Sequence, residues 1–425
     1  MVLSAGLNRR LFSYLGEFDD FFPDGAGEIR KRIILKVNDF RSAHLQGNLL
    51  ARLGLWVSEY RVESGLNCGG HAFGGKGQLL GPVLADFRRE RRRLTEELGE
   101  IRERALARLG RASDAAAACR VTVQGGIGTA DEDAMLRSHY AVDGTGWASP
   151  FLLCPEVVSI DDESLKKVSE AREEDVVLSD NSPLGVPFWS LRTSASEAVR
   201  QARIDEGNPG SPCPKGYLVS NTEFTQAPIC TASRAYQRRK LKEIADSDQP
   251  AAEKTAQWDA VVTKACICHD LAGGATITAG IDPAARTAVC CGPNTVYFSR
   301  VASLREMVDH VYGRAALPLA PGRPHMFLKE LSLHVERARA AAGNRRQELI
   351  CAAGRGAAET KQNLLEGIRH YREVAAEVVA ERREEFLAGL ESLREELERL
   401  LPEALDAPAS ISAPLSDGPR RRATG

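Results

Sequence analysis

The chain has 425 residues, 43% hydrophobic, 27% charged and 6% aromatic, which is enough apolar content for a sizeable core and too much for disorder throughout. Lys and Arg number 56 against 58 Asp and Glu, a formal net charge of -2, so the broad positive field of a non-specific nucleic-acid binder is excluded. No run approaches the roughly 20 apolar residues of a membrane span, Arg9 and Arg10 interrupt any signal-like stretch near the start, and ten cysteines are too sparse for a disulfide scaffold, so the expected setting is cytoplasmic, without nucleic-acid or membrane partners.

The first 156 residues alternate strand-like and helix-like segments, the pattern of βα units around a parallel sheet. Four strands are predicted: residues 32–37 (RIILKV), 55–60 (LWVSEY), 120–124 (RVTVQ), and one beginning near Val142 and running into Gly146. Helical spacing is predicted over residues 43–53, 83–109 and 130–140. From residue 157 to 316 the pattern weakens, with Pro, Gly, Ser and Cys punctuating short segments, and an irregular or small-sheet extension is expected. Residues 317–402 return to helix, with Phe327, Leu331, Leu333 and Val335 in one segment and an Ala/Glu/Leu/Arg-rich stretch over 358–401 in another. That pattern predicts a helical hairpin which either packs across the α/β unit or forms an oligomer seam. Residues 403–425 read as a polar, flexible tail.

Three places carry chemistry. Gln124-Gly125-Gly126-Ile127-Gly128-Thr129 sets three glycines between a strand and a helix, where backbone N–H groups can approach an anion; Gly144 and Gly146 recur one unit later. Each cluster alone is more often a tight turn. Ser64-Gly65-Leu66-Asn67-Cys68-Gly69-Gly70-His71 follows a strand, where a thiol beside an imidazole would make an activated nucleophile or acid/base pair. Against that, Cys68 can be a small buried filler and His71 a turn cap. Lys36, at the end of its strand, can point its ammonium at a cofactor or snorkel to solvent.

The order of these segments, GLWVSEYRVESGLNCGG at 54–70, RVTVQGGIGT at 120–129 and VDGTGWASPFL at 142–152, preceded by Ile34-Leu35-Lys36-Val37, resembles the later half of the FMN-binding (β/α)8 barrel of glutamate synthases. Nitronate monooxygenase-type flavin barrels are similar in their final Gly-Gly-Ile turn and in a stretch comparable to Trp147-Ala148-Ser149-Pro150-Phe151-Leu152. The resemblance covers about residues 32–156. It implies flavin mononucleotide as cofactor, with Gly125, Gly126, Gly128, Thr129 and Gly146 around its phosphate and Lys36, Ser64 and Gly65 facing the flavin. Cys68 and His71 are the implied proton carriers. A complete barrel takes about 250 residues, so a second chain or copy completing it, or a truncated barrel, is expected.

Cys213-Pro214-Lys215-Gly216 resembles the Cys-Pro-Val-Gly segment after the barrel in glutamate synthases, where cysteines hold an iron–sulfur cluster, but the close trio of cysteines is missing here. Cys213, Cys230, Cys266 and Cys268, with Cys291 next, are the candidate ligands for an iron–sulfur centre or zinc. The expected whole is a partial TIM-barrel-like α/β protein with a cysteine-bearing extension and a C-terminal helical region. Its expected function is FMN-dependent electron transfer to an iron–sulfur centre, an electron-transfer partner or a small oxidised substrate, in a homo-oligomer. The competing expectation is a non-enzymatic, zinc-stabilised assembly protein, or a barrel remnant needing a partner.

Overall fold

A computed structural model describes residues 1–112, 118–213, 215–343, 350–379 and 382–401; the predicted tail lies outside these. Five strands, β1 (Val2–Leu3), β2 (Ile33–Val37), β3 (Val57–Glu63), β4 (Arg120–Gln124) and β5 (Gly144–Gly146), form one parallel sheet in sequential order. Helix α1 (Arg9–Leu15) follows β1, and α2 (Phe40–Arg52), α3 (Leu80–Leu109) and α4 (Ala130–His139) connect the later strands. Helical crossovers between sequentially ordered parallel strands are compatible with part of a (β/α)8 barrel. Among the described residues the sheet has five strands rather than four, because the two-residue β1 pairs with Ile34 and Leu35 and is too short to carry a pattern.

Local chemistry explains the units. In β2, Ile33, Leu35 and Val37 are buried while Ile34 and Lys36 are half-buried, the period-2 alternation of a strand with one face on a core. Asp39 caps α2 by accepting the Ser42 N–H at 2.6 Å, and Thr129 caps α4 by accepting the Glu132 N–H at 3.2 Å. Helix α3 lacks such a cap of its own; Glu330, distant in sequence, accepts the Leu80 N–H at 2.8 Å instead.

The extension contains α5 (Asp162–Glu170), an antiparallel pair β6 (Val176–Ser179) and β7 (Phe188–Leu191), and the helices α6 (Ala195–Asp205), α7 (Arg234–Asp246), α8 (Ala251–Thr263), α9 (Ile267–Asp270), α10 (Gly273–Thr278) and α11 (Leu304–Val311). It contributes most of a second apolar cluster around Trp189, Leu191 and Met307 and a patch of Phe188, Ala265 and Ile267. Beyond it run α12 (Met326–Gly343), α13 (Ile350–Val378) and α14 (Arg383–Leu400). Where a hairpin was expected there are three helices among the described residues, and of the two placements considered they take the one across the α/β unit. Phe327, Leu331, Leu364, Tyr371, Phe386 and Leu390 belong to the same continuous core as the sheet, with Phe327 and Tyr371 stacked at 4.6 Å. No helix among the described residues is long and apolar enough to cross a membrane.

Candidate functional site

A cleft of about 780 Å³ opens where β2 to β5 end at their carboxyl termini. In α/β proteins this is the end at which ligands bind, because the loops there are free to diverge while the strands hold their roots. Lys36, Glu63, Ser64, Gly65, Cys68 and His71 line it from β2 and β3, and Gly125, Gly126, Ile127, Gly146 and Trp147 from β4 and β5. Leu184, Val186, Cys290 and Asn294 of the extension complete the wall. The structure thus gathers Lys36, Ser64, Gly65, Cys68, His71, Gly125, Gly126 and Gly146 into one cavity.

Gly128 and Thr129 do not line it. The turn after β4 requires glycine: φ is +124° at Gly125 and +79° at Gly126, and a Cβ on Gly126 would stand 2.0 Å from Asn67 Nδ2. Past the turn, the Gly128 N–H donates to Glu132 Oε2 at 2.8 Å, and the Gly128 carbonyl meets His310 Nε2 at 2.9 Å. Glu132 is buried. It receives both ends of the Arg323 guanidinium, at 2.9 and 2.7 Å, and the Met326 N–H at 2.9 Å, while Arg323 also donates to the Gly126 carbonyl at 2.9 Å. Burial opposes ionisation of Glu132, but the charges of Arg323 and His325 and these hydrogen bonds outweigh it and hold the carboxyl below its usual range. The Gly128 N–H is thus engaged by the chain's own carboxylate, and the expected phosphate contacts of Gly128 and Thr129 fall outside the cleft lining. The N–H groups of Gly126 and Ile127, in contrast, enter no internal hydrogen bond among the described residues.

Cys68 and His71 do not form a pair. The Cys68 thiol points at the Gln124 carbonyl, 3.5 Å away, and burial, with Glu63 and Glu330 nearby, pushes its pKa far above the ordinary thiol value. Burial therefore works against an activated thiolate at Cys68. His71 Nε2 sits 2.8 Å from Ser182 Oγ, its ring meets Phe188 edge-on at 4.9 Å, and burial lowers its pKa, which favours the neutral ring. Lys36 Nζ lies 3.1 Å from Glu63, whose carboxylate also accepts the Gln124 side-chain amide. This chain of Lys36, Glu63 and Gln124 orients a cation at the strand ends.

Several of these residues carried no readable signal. Glu63 and Gln124 stand beside motifs that drew attention to their glycines. Asn67, hydrogen-bonded to Met326 O at 3.1 Å and to Asn294 at 2.6 Å, fixes the loop against the turn. Glu330 accepts from Ser64 Oγ at 2.6 Å and from Tyr371 at 3.3 Å, and burial pushes its pKa up to about 7. A lone acid inside the apolar run FLKELSL was the available clue.

The cysteines divide. Cys290 lines the cleft, and Cys291 is buried in the Trp189 cluster beside Gly69, so Cys291 is separated from the other candidate ligands. Cys213, Cys230, Cys266 and Cys268 lie in the extension near one another. Among the described residues, no group of three or more His, Cys, Asp or Glu side chains is gathered closely enough to hold a metal ion as it stands. No protein-family model matches the chain, and no curated protein matches it in sequence.

Proposed function

We propose that the strand-end cleft binds flavin mononucleotide and that the protein is an FMN-dependent oxidoreductase acting on a small oxidised substrate. The observation that supports this reading is the pair of unengaged N–H donors at Gly126 and Ile127 in the cleft that also presents Lys36. The cavity of about 780 Å³ lies within the range of cofactor sites. Gly126 and Ile127 would hold the phosphate, with Gly125 and Gly146 allowing close approach of the backbone, and Lys36 would face an electron-rich edge of the ring. Bound flavin supplies hydride and electron transfer; the protein positions it and tunes its charge. Glu63 and Gln124 keep the Lys36 ammonium aimed into the cleft. His71, tethered to Ser182 and with its pKa lowered by burial, would be the group to accept or return a proton, and Cys68, whose pKa burial raises, would serve as wall.

Titration of the full chain with FMN and with riboflavin, followed by quenching of flavin fluorescence, tests the reading. FMN should bind more tightly by about tenfold or more, because a phosphate held by charge-assisted or amide hydrogen bonds contributes about 1.5–3 kcal/mol. Lys36→Met should weaken FMN by about tenfold with the fold intact by circular dichroism. Equal affinity for the two flavins, or none for either, overturns the proposal and favours the non-enzymatic assembly reading.

A further inference from the structure

Directly behind the cleft wall lies an enclosed acid whose hydrogen-bond partners are all neutral. Glu330, 1% exposed on α12, accepts the Ser64 hydroxyl at 2.6 Å on Oε1, and the Leu80 N–H at 2.8 Å and the Tyr371 hydroxyl at 3.3 Å on Oε2. The other titratable groups that face it are Tyr140, just past α4, and Cys68 of the cleft loop. None of these acids can lend it a positive charge, and His334, one turn further along α12, is buried with its pKa lowered, which disfavours its cationic form. Ser64 stands between this acid and the cleft, which it lines. Its N–H donates to Gln124 O at 3.1 Å, and a Cβ on Gly125 would stand 2.7 Å from Ser64 Cβ, so the serine sits at the root of the turn that presents the Gly126 and Ile127 amides. Ser64 Oγ also accepts the Asn67 N–H at 3.1 Å.

We propose that Ser64 and Glu330 couple ligand binding in the cleft to the uptake of one proton: a ligand oxygen at Ser64 takes the hydroxyl hydrogen, and Glu330 binds a proton from solvent and donates it to Ser64 Oγ. The reason is a count of hydrogens. A serine hydroxyl has one, and here it is engaged by Glu330. Once it turns to a ligand, Ser64 Oγ and Glu330 Oε1 face each other at 2.6 Å as two acceptors with nothing between them. Buried away from water, that arrangement is costly, and a proton on Oε1 repairs it. No covalent bond is made or broken in the ligand and no electron moves. Oε2 keeps Leu80 and Tyr371 throughout, so α3 retains its cap in both states. Burial raises the Glu330 pKa to about 7, which leaves the free acid partly ionised near neutral pH and able to take up the proton. The ligand oxygens are those of the flavin phosphate proposed at Gly126 and Ile127, so the coupling rests on that reading.

The test is calorimetric titration of the full chain with FMN in two buffers of different ionisation enthalpy, repeated across neutral pH. The buffer dependence of the heat counts the protons taken up. The FMN phosphate, with its second pKa near about 6, and His71 titrate in the same range, so the readout is the difference between wild type and Glu330→Gln. The amide keeps the Leu80 N–H on its oxygen and donates to Ser64 Oγ as the protonated acid would. Wild type should take up more protons than the variant, the excess rising toward one above about pH 7. Over that range its FMN affinity should fall, relative to the variant's, by up to about tenfold per pH unit. Ser64→Ala, which removes the hydroxyl altogether, should lose the same excess. Equal uptake in wild type and Glu330→Gln, or undiminished uptake in Ser64→Ala, with FMN still bound, overturns the coupling alone and leaves Glu330 as the cap of α3. Absence of FMN binding at every pH overturns the flavin reading and the coupling with it.

Discussion

The sheet region and the extension are built on opposite principles. Around β2 to β4, Leu35, Val37, Val62 and Val123 are fully enclosed, and the C-terminal helices add Phe327, Leu331 and Tyr371 to the same apolar mass. Apolar burial of this extent, at about 25 cal/mol per Å², dominates stability and makes the region insensitive to any single polar contact at its surface. The extension buries its apolar residues in smaller, separate clusters. Its smallest cluster is three residues, its strands are four residues long, and polar knots hold it: Gln237 Nε2 donates to Val261 O and Lys264 O at 3.0 and 3.1 Å, and Ser196 Oγ to Asp270 at 2.5 Å.

The exception within the sheet region is the buried pair Glu132–Arg323, which props the turn after β4 from behind. Breaking it should be the costliest single change. Arg323→Met removes the partner of an enclosed carboxylate and the donor to Gly126 O, and should destabilise by about 3–5 kcal/mol in urea unfolding. Arg323→Met combined with Glu132→Gln should recover much of that loss, because no unpaired charge remains. A cost below about 1 kcal/mol for Arg323→Met would mean the apolar core alone sets the turn.

A second test reads the sheet region through pH. Glu330 is buried and its pKa is raised to about 7 from an ordinary 4.5, so the folded state holds its proton more tightly than the unfolded chain. Its contribution is fully present below about pH 4.5 and is lost as pH rises to about 7, amounting to about 3 kcal/mol across that window. Glu132, His325 and His334 work in the opposite sense, their lowered pKa values costing stability as pH falls. The difference between wild type and Glu330→Gln therefore isolates Glu330: the amide imitates the protonated acid, so the variant should gain on wild type by about 3 kcal/mol between pH 4.5 and 7.5. Parallel stability curves would place Glu330 in an environment as polar as water.

The same contrast governs what was legible in the sequence. β4 is legible to the residue because Val121 and Val123 are flanked by a clear glycine turn, and β2 within one residue. β3 runs over Val57–Glu63 rather than 55–60, since the apolar pair Leu55-Trp56 is buried ahead of the strand while Arg61 and Glu63, which open into the cleft, disguise its end. Polar residues at strand ends hide the strand where function begins. The stretch 358–401 reads as one helix, but α13 ends at Val378 and α14 starts at Arg383 with no Gly or Pro between them. Within the site, glycines and Lys36 announce themselves locally. The Glu132–Arg323 clamp does not, because a buried ion pair between residues 191 positions apart leaves no periodic trace.

The smallest expected effect lies at the seam between the two regions. β7 lies along the cleft loop: the Trp189 N–H donates to Gly70 O at 2.9 Å, the Ala72 N–H to Pro187 O at 2.8 Å, and the Trp189 indole N–H to Leu66 O at 2.8 Å. Trp189→Phe keeps most of the apolar contact and both backbone bonds but leaves the Leu66 carbonyl without its donor, a loss of about 1–2 kcal/mol. The urea midpoint should fall by that amount with an unchanged slope, since the surface exposed on unfolding stays the same. A change in slope would mean that the extension detaches before the sheet melts, so that the indole bond couples two units otherwise free to open separately. An unchanged midpoint would assign the hold on the cleft loop to the two backbone bonds alone, and the extension would then be joined to the carboxyl end of the sheet by its strand edge rather than by its core.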